Sequence, residues 1–454
     1  MEDSYFEIPR HAVAVIGGAC AGAEAAEIFA KAGIYTVVID QNQRPFGKIE
    51  DGLPRWHGRQ RSREYGKIAD KLSTDGIDFM PTTKIGRDLD FETLRSWGFS
   101  AVVLACGAWS DRKLGAEGAD AADGKGLIYQ NPFIYWFNHH EEASFDGEQF
   151  DLVDGAVVVG GGLASIDCVK ALNLEMAAKK LRERGIECDV LHMEHKGIKD
   201  ILAGHGITWE ELGLEGCTLV YRRSPGEMPL VQYKDGADAA SKEKTNLLRA
   251  KLMGNVQDKF FVNGSFNSVP KRILFDDDGN MSGLEVIGTR TEGRKVIEIE
   301  GSERVLPTTL ILSSIGSVPE PIPGLPLRGE FYEYDDWDMG VVKDMTGVFG
   351  VGNVVTGQGN IVISRKHSKK VADSVVADYL GVGDGTSEEF VPSAVEGAAA
   401  ETAEAVKEHL NGQEKLSVEK LGEIHEKIAA WQHYMGYETD FKSWIELVTP
   451  PDRI

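Results

Sequence analysis

"AVAVIGGACAGAEAAEIFAKAGIYTVVID", residues 12–40, decides how this chain folds. Residues 12–17 are short, β-branched and uncharged, the pattern of a strand buried in a parallel sheet. The turn Gly17-Gly18-Ala19-Cys20-Ala21-Gly22 follows. Apolar residues at 25, 26, 29, 30 and 32 then keep helical spacing until Gly33. "IYTVVID" forms a second strand that ends in Asp40. Strand, glycine turn, helix, strand and acid is the layout of a dinucleotide-binding βαβ unit. The helix N-terminus holds a pyrophosphate and the acid holds a ribose. Ala19 stands where the middle glycine of the motif belongs, and its methyl narrows the approach to the pyrophosphate.

The pattern recurs in "GAVVVGGGLASIDCVKAL", residues 155–172. Here Gly160, Gly162, Leu163 and Ala164 form the loop, and Ser165 replaces the third glycine. A serine is small enough for the helix to pack on the strand. Two such units in one chain imply two nucleotides, a flavin and a nicotinamide. The strand after the second helix should end in an acid for NAD or a base for NADP. "CTLVYRR" ends in Arg222 and Arg223, whose two guanidinium forks suit a 2′-phosphate. The rival "ECDVLHME" ends in Glu194 and would suit NAD. The arginines are the preferred reading.

The 454 residues allow two or three domains. A formal charge of −23 argues against nucleic acid as a partner. The start, "MEDSYFEIPRH", lacks the basic-then-apolar order of a signal peptide. No apolar run reaches the ~18 residues of a membrane span, so the cytoplasm is the expected compartment. Five cysteines with no C-x-x-C pair argue against a disulfide framework, a cysteine zinc site or an iron–sulfur cluster. "HHEE", 139–142, is not expected to bind metal, because adjacent ligands point apart on most backbones; no metal site is expected. Against this acidity, "GLPRWHGRQRSREYGK", 52–67, sets Arg55, Arg59, Arg61, Arg63 and Lys67 against Glu64 alone. A second basic cluster is "SRKHSKK", 364–370.

Six ordered stretches carry a resemblance: "RPFGKIEDGLPRWHG", "AVVLACGAWSDRKL", "NPFIYWFN", "FDLVDGAVVVGGGLASIDC", "LILSSIGSVPEPI" and "GVFGVGNVVTGQGNIVISRKHSKKVADSV". Over about residues 10–380 the chain resembles the adrenodoxin reductase and bacterial NADPH–ferredoxin reductase family. "YRRSPGEMP", 221–229, is similar to the glutamate synthase small subunit. That relative carries a cysteine-rich iron–sulfur module, which this chain lacks.

The resemblance implies an α/β fold with two Rossmann-like domains. An FAD domain, 1–113 and 318–384, would carry an inserted NADPH domain, 114–317. Residues 385–454 would be an acidic helical extension; from Asp384 onward there are 15 acids and 6 bases. The implied FAD contacts are Gly17, Gly18, Ala19, Gly22, Asp40, Phe46, Gly47, Gly107, Gly352, Asn353, Gly359, Asn360 and Ile361. Asn353 departs from an aspartate and Asn360 from a glycine. Gly316 joins Gly160, Gly162, Leu163, Ala164, Arg222 and Arg223 on the nicotinamide side. His57 matches a histidine near the flavin, and Asp151 the aspartate beside it, in proton exchange and ordering of water. The implied activity is electron transfer between NADPH and an iron–sulfur protein such as ferredoxin, through FAD. The two basic clusters would then dock an acidic ferredoxin. Two alternatives stay open: a subunit serving one catalytic partner, of glutamate-synthase type, and a nucleotide-binding regulatory subunit without turnover.

Overall fold

The computed structural model describes residues 11–234, 236–293, 295–382 and 414–453. The first part of the expected helical extension, 385–413, lies outside them. Two compact units share the chain. The first takes 11–50, 59–110 and the described part of 318–453; the second takes 51–58 and 111–317.

In the first unit, β1 (Ala12–Ile16) is buried throughout and runs through the glycine turn into α1 (Cys20–Lys31). Gly33, at φ +74°, ends the helical path and turns the chain back. β2 (Tyr35–Ile39) pairs with β1 in parallel, from Ala12 beside Tyr35 to Ile16 beside Ile39. α2 (Gly58–Leu72) leads to β3 (Ile77–Met80), parallel to β2. β4 (Ala101–Leu104) pairs with the other side of β1.

The second unit holds β5 (Leu127–Tyr129), α3 (Gln130–His139), β6 (Val157–Gly160) and α4 (Leu163–Glu183). β7 (Thr218–Tyr221), α5 (Ala239–Phe260), β8 (Asn263–Phe266) and β9 (Ile311–Ser314) complete its main sheet and one flank. The order is β5-β9-β6-β7-β8, all parallel. Val158, Leu219 and Leu312 pack with Phe133, Phe137 and Leu172 of the helices. Their neighbours Val157, Val220 and Ile311 pack with Ile273 and Leu284 of an antiparallel sheet on the opposite face. Burial of both faces explains why these strands read as unbroken apolar runs.

"ECDVLHME" does not form a strand. Asp189 accepts from the amides of Leu191 and His192 and so caps a helix, Val190–Lys196. The strand that follows α4 in the sheet is β7, which leads directly into Arg222 and Arg223.

The chain returns to the first unit in β10 (Tyr334–Asp336), β11 (Val341–Val342) and β12 (Val348–Gly350). The sheet order is β10-β11-β12-β4-β1-β2-β3, with β12 parallel to β4. α6 (Ile361–Ser374) lies on α1, where Ser368 Oγ donates to the Ala21 carbonyl at 2.6 Å. The described part of the C-terminal extension is helical, as expected, and adds to this unit's core. Ile424 and Ile428 of α7 (Val418–Tyr434) and Phe441 and Trp444 of α8 (Phe441–Val448) are buried. Trp431 Nε1 donates to Thr83 Oγ1, and Trp444 Nε1 to the Gln43 carbonyl, both at 2.8 Å. Among the described residues no helix is long and apolar enough to cross a membrane.

Candidate dinucleotide sites

The level register of β1 and β2 sets Gly17 beside the end of β2, and its amide donates to the Ile39 carbonyl at 2.7 Å. Gly18 N–H donates to Asp40 Oδ2 at 2.7 Å, and Asn42 N–H to Oδ1 at 2.9 Å. A Cβ at Gly17, where φ is +101°, would lie 2.6 Å from the Ala105 carbonyl oxygen. One at Gly22 would lie 1.8 Å from the Gly17 oxygen. Both glycines are therefore required by backbone contact. No side chain caps α1 at Ala19, so its first-turn amides point outward, as a bound phosphate needs. The Ala19 methyl lies 2.9 Å from where a Cβ on Gly47 would stand.

Phe46 is buried and its ring sits 4.4 Å from Tyr65. Gly352, at φ +72°, brings its backbone against Ala21, and its amide donates to His367 Nδ1 at 3.1 Å. Burial holds the His367 pKa below its ordinary value, which suits a neutral acceptor. Asn353 Oδ1 is buried without a hydrogen-bond partner among the described residues. Gly107 and Gly359 face open space. Ile361 is half-buried at the start of α6. The N-terminus of α6 differs from that of α1: Asn360 Oδ1 takes the amides of Val362 at 2.9 Å and Ile363 at 3.1 Å.

In the second unit a Cβ on Gly160 would lie 2.3 Å from the Ser314 oxygen. Ser165, fully buried, donates to the Gly162 carbonyl at 2.7 Å. Gly162 leaves the N-terminus of α4 without a side-chain cap; Leu163 is exposed and Ala164 half-buried beside it. Pairing of Val159 with Val220 brings Tyr221 over the loop, where its ring would meet a Cβ on Gly161 at 2.1 Å. Arg222 is exposed, with its carbonyl fixed by Thr289 Oγ1 at 2.9 Å. Arg223 lies 4.0 Å from Glu227. Glu194 is engaged by Lys170. Gly316 follows β9 at φ +106°, and its carbonyl accepts from the Arg112 amide at 3.0 Å. Both loops thus have the glycine cradle and open helix terminus that a dinucleotide requires.

His57 ends a short 3-10 turn, Arg55–His57. Its Nε2 lies 4.0 Å from Asp167 Oδ1. The carboxylate that faces it is therefore Asp167 rather than Asp151. Asp167 is placed by the first turns of α4, whereas Asp151 is exposed on the irregular segment before β6. No spacing rule links 57 to 167, so the sequence offered no signal for this pair.

Two arginines of the basic run are not surface groups. Arg55 is 6% exposed and paired with Glu141 and Glu175. Arg61 is 1% exposed, donating to the Tyr65 hydroxyl at 3.0 Å and the Glu50 carbonyl at 3.1 Å. Glu64, also buried, lies 2.6 Å from Arg365 and 2.9 Å from Lys67, which joins the two basic clusters. Arg59, Arg63, Lys67 and Lys366 remain exposed. Ligand atoms of His140, Glu141 and Glu175 lie within 4.8 Å of one another. The Arg55 guanidinium is the cation those carboxylates already hold. Burial raises Glu175 to about 7.

No protein-family model matches the chain. The NADPH-Fe(3+) oxidoreductase subunit beta of Geobacter sulfurreducens is 27% identical over 317 residues, 68% of this chain and 37% of that protein. The chain thus spans little more than a third of that relative. The mitochondrial NADPH:adrenodoxin oxidoreductase of Arabidopsis thaliana is 24% identical over 75% of this chain and 72% of its own. The glutamate synthase [NADPH] small chain of Mycobacterium tuberculosis is 25% identical over 81% and 67%. Among solved structures, Mycobacterium tuberculosis FprA in complex with NADPH superposes with a TM-score of 0.65 at 18% identity, covering 94% of this chain and 91% of that one. The fold is that of FprA, and the resemblance read from the sequence extends to these relatives.

Proposed function

We propose that the protein is an FAD-dependent oxidoreductase that passes electrons between NADPH and an iron–sulfur protein, in the cytoplasm. The observation that carries this is the repetition, in one chain, of a glycine cradle under an uncapped helix between parallel strands of two sheets. The relatives' names support the NADPH-dependent part of this reading: the Geobacter protein is called an NADPH-Fe(3+) oxidoreductase subunit and the Arabidopsis protein an NADPH:adrenodoxin oxidoreductase.

In this reading the first unit holds FAD through Gly17, Gly18, Gly22, Asp40, Gly352 and the turn Gly359-Asn360-Ile361. The second holds NADPH through Gly160, Gly162 and Leu163, with Arg222 and Arg223 on its 2′-phosphate. Bound FAD supplies the conversion of a hydride into single electrons. The chain's residues bind and orient: the open amides of α1 and α4 take pyrophosphates, and His57, with Asp167, holds an exchangeable proton at Nε2. Arg59, Arg63, Lys67 and Lys366 present positive charge to an acidic iron–sulfur partner in a chain of net charge −23.

The purified protein should be yellow, release FAD on denaturation and reduce ferricyanide with NADPH. A colourless protein that cannot be reconstituted with FAD would refute the redox reading. "YRRSPGEMP" and the Mycobacterium relative favour a second reading, in which one fixed catalytic subunit takes the electrons. Co-purification of such a subunit with the native chain distinguishes the two.

A further inference from the structure

Residues 51–58 fall early in the chain yet belong to the second unit, and their contacts there converge on Arg55. The Arg55 amide donates to Asn138 Oδ1 at 2.8 Å, and Asn138 Nδ2 donates back to the Leu53 carbonyl at 3.1 Å. Asp51 lies 3.3 Å from His139 Nε2. The Arg55 guanidinium pairs with Glu141, just past α3, and lies 3.5 Å from Glu175 on α4. It also stands over the Phe137 ring, 4.9 Å from its centre. Next to it, Trp56 meets the same ring edge-on at 4.9 Å and receives Lys170 at 4.7 Å.

This geometry is specific to arginine. A planar fork can engage two carboxylates at once, whereas an ammonium acts as one point charge. Burial of the charge is tolerated because Glu141 pairs with it directly, while Glu175 Oε1 stands 3.5 Å away without a hydrogen bond. Two residues further on, His57 faces Asp167, which lies two turns before Glu175 on the same helix. α4 thus carries the uncapped glycine loop, the carboxylate that faces His57 and one jaw of the Arg55 clamp.

We propose that Arg55 is the positioning residue for His57: held between Glu141 and Glu175, it fixes the imidazole opposite Asp167 beside the first turns of α4. The proposal rests on the oxidoreductase reading above for its consequence in turnover, though not for the clamp itself. Arg55 touches neither nucleotide loop, so its loss acts on the rate through His57 rather than on nucleotide affinity.

The test uses the full-length, FAD-loaded protein. Hydrogen exchange of residues 51–58 is measured beside steady-state reduction of ferricyanide by NADPH. Arg55→Lys should speed exchange in 51–58 and leave flavin content and exchange in β1–α1 unchanged. Its kcat should fall by about 10–100-fold, the scale of a misplaced group. The KM for NADPH should stay within about threefold, since uniform binding is untouched. Asp167→Asn leaves the clamp intact and should lower kcat similarly at wild-type exchange. Faster exchange in Arg55→Lys with wild-type kcat would overturn the proposal, and so would wild-type kcat in Asp167→Asn. If Arg55→Lys does not fold, Glu141→Gln weakens the same clamp and carries the same expectations. Wild-type protein without FAD or NADPH oxidation would refute the functional reading instead, and unchanged exchange in Arg55→Lys would still refute the clamp.

Discussion

Gly18 donates its amide to Asp40 Oδ2 at 2.7 Å, so the acid at the end of β2 holds the first glycine loop closed from beneath. Its other oxygen takes the Asn42 amide. Hydrogen bonds to a charged acceptor contribute about 1.5–3 kcal/mol each. Asp40→Ala should destabilise the first unit by roughly that amount or more and lower bound flavin. Asp40→Asn keeps one acceptor and should lie between. Denaturant unfolding and the flavin-to-protein absorbance ratio check this; an alanine variant with full flavin content would show that Asp40 does not shape the site.

Arg222 is exposed, whereas Arg223 shares its charge with Glu227 at 4.0 Å. Arg222→Ala should therefore raise the KM for NADPH more than Arg223→Ala, by about 10–100-fold for a charge-assisted contact. The KM for NADH should hardly move in either. If wild type already prefers NADH, the 2′-phosphate assignment fails. Glu194 offers no simple replacement, because it sits on a helix and is engaged by Lys170.

Both βαβ units were legible because their signals are local: an apolar strand, a glycine turn and a helix within thirty or so residues. The site's cross-chain pairs were not. Asp167 meets His57, and Glu141 and Glu175 meet Arg55, only because α3 and α4 pack against residues 51–58. The rival at 187–194, set aside in favour of the arginines, is a helix, and Asp189 supplies the cap that decides for it. The tail read as an acidic helical extension because its acids outnumber its bases, 15 to 6 from Asp384 onward. Its few buried residues, Ile424, Ile428, Phe441 and Trp444, are too sparse to signal a core on their own.

Glu175 makes stability depend on pH. Burial raises its folded-state value to about 7 from 4.5, so the folded state binds this proton more tightly than the unfolded chain. The resulting stability is fully present below about pH 4.5 and is lost as pH rises through 7. The span corresponds to roughly 3 kcal/mol. Glu175→Gln cannot titrate and should flatten this part of the profile. Equal slopes for wild type and variant in urea unfolding between pH 5 and about 8 would show that Glu175 is not the group responsible.

The buried state of Arg61 divides the basic run into two classes of residue. Arg61→Glu would place a second carboxyl beside the Glu50 carbonyl and remove the donor to Tyr65. Breaking a buried charged contact costs about 3–5 kcal/mol, so this variant should lose stability and flavin together. Arg59→Glu, Arg63→Glu and Lys366→Glu alter exposed groups and should leave folding and flavin reduction by NADPH unchanged. If these bases dock an acidic iron–sulfur protein, the triple variant should slow reoxidation by that protein at low salt, through association. The wild-type rate should then fall toward the variant's as ionic strength rises. Stopped-flow reduction followed by reoxidation across a salt series separates the two steps. Equal low-salt reoxidation rates in variant and wild type would mean that the partner docks elsewhere.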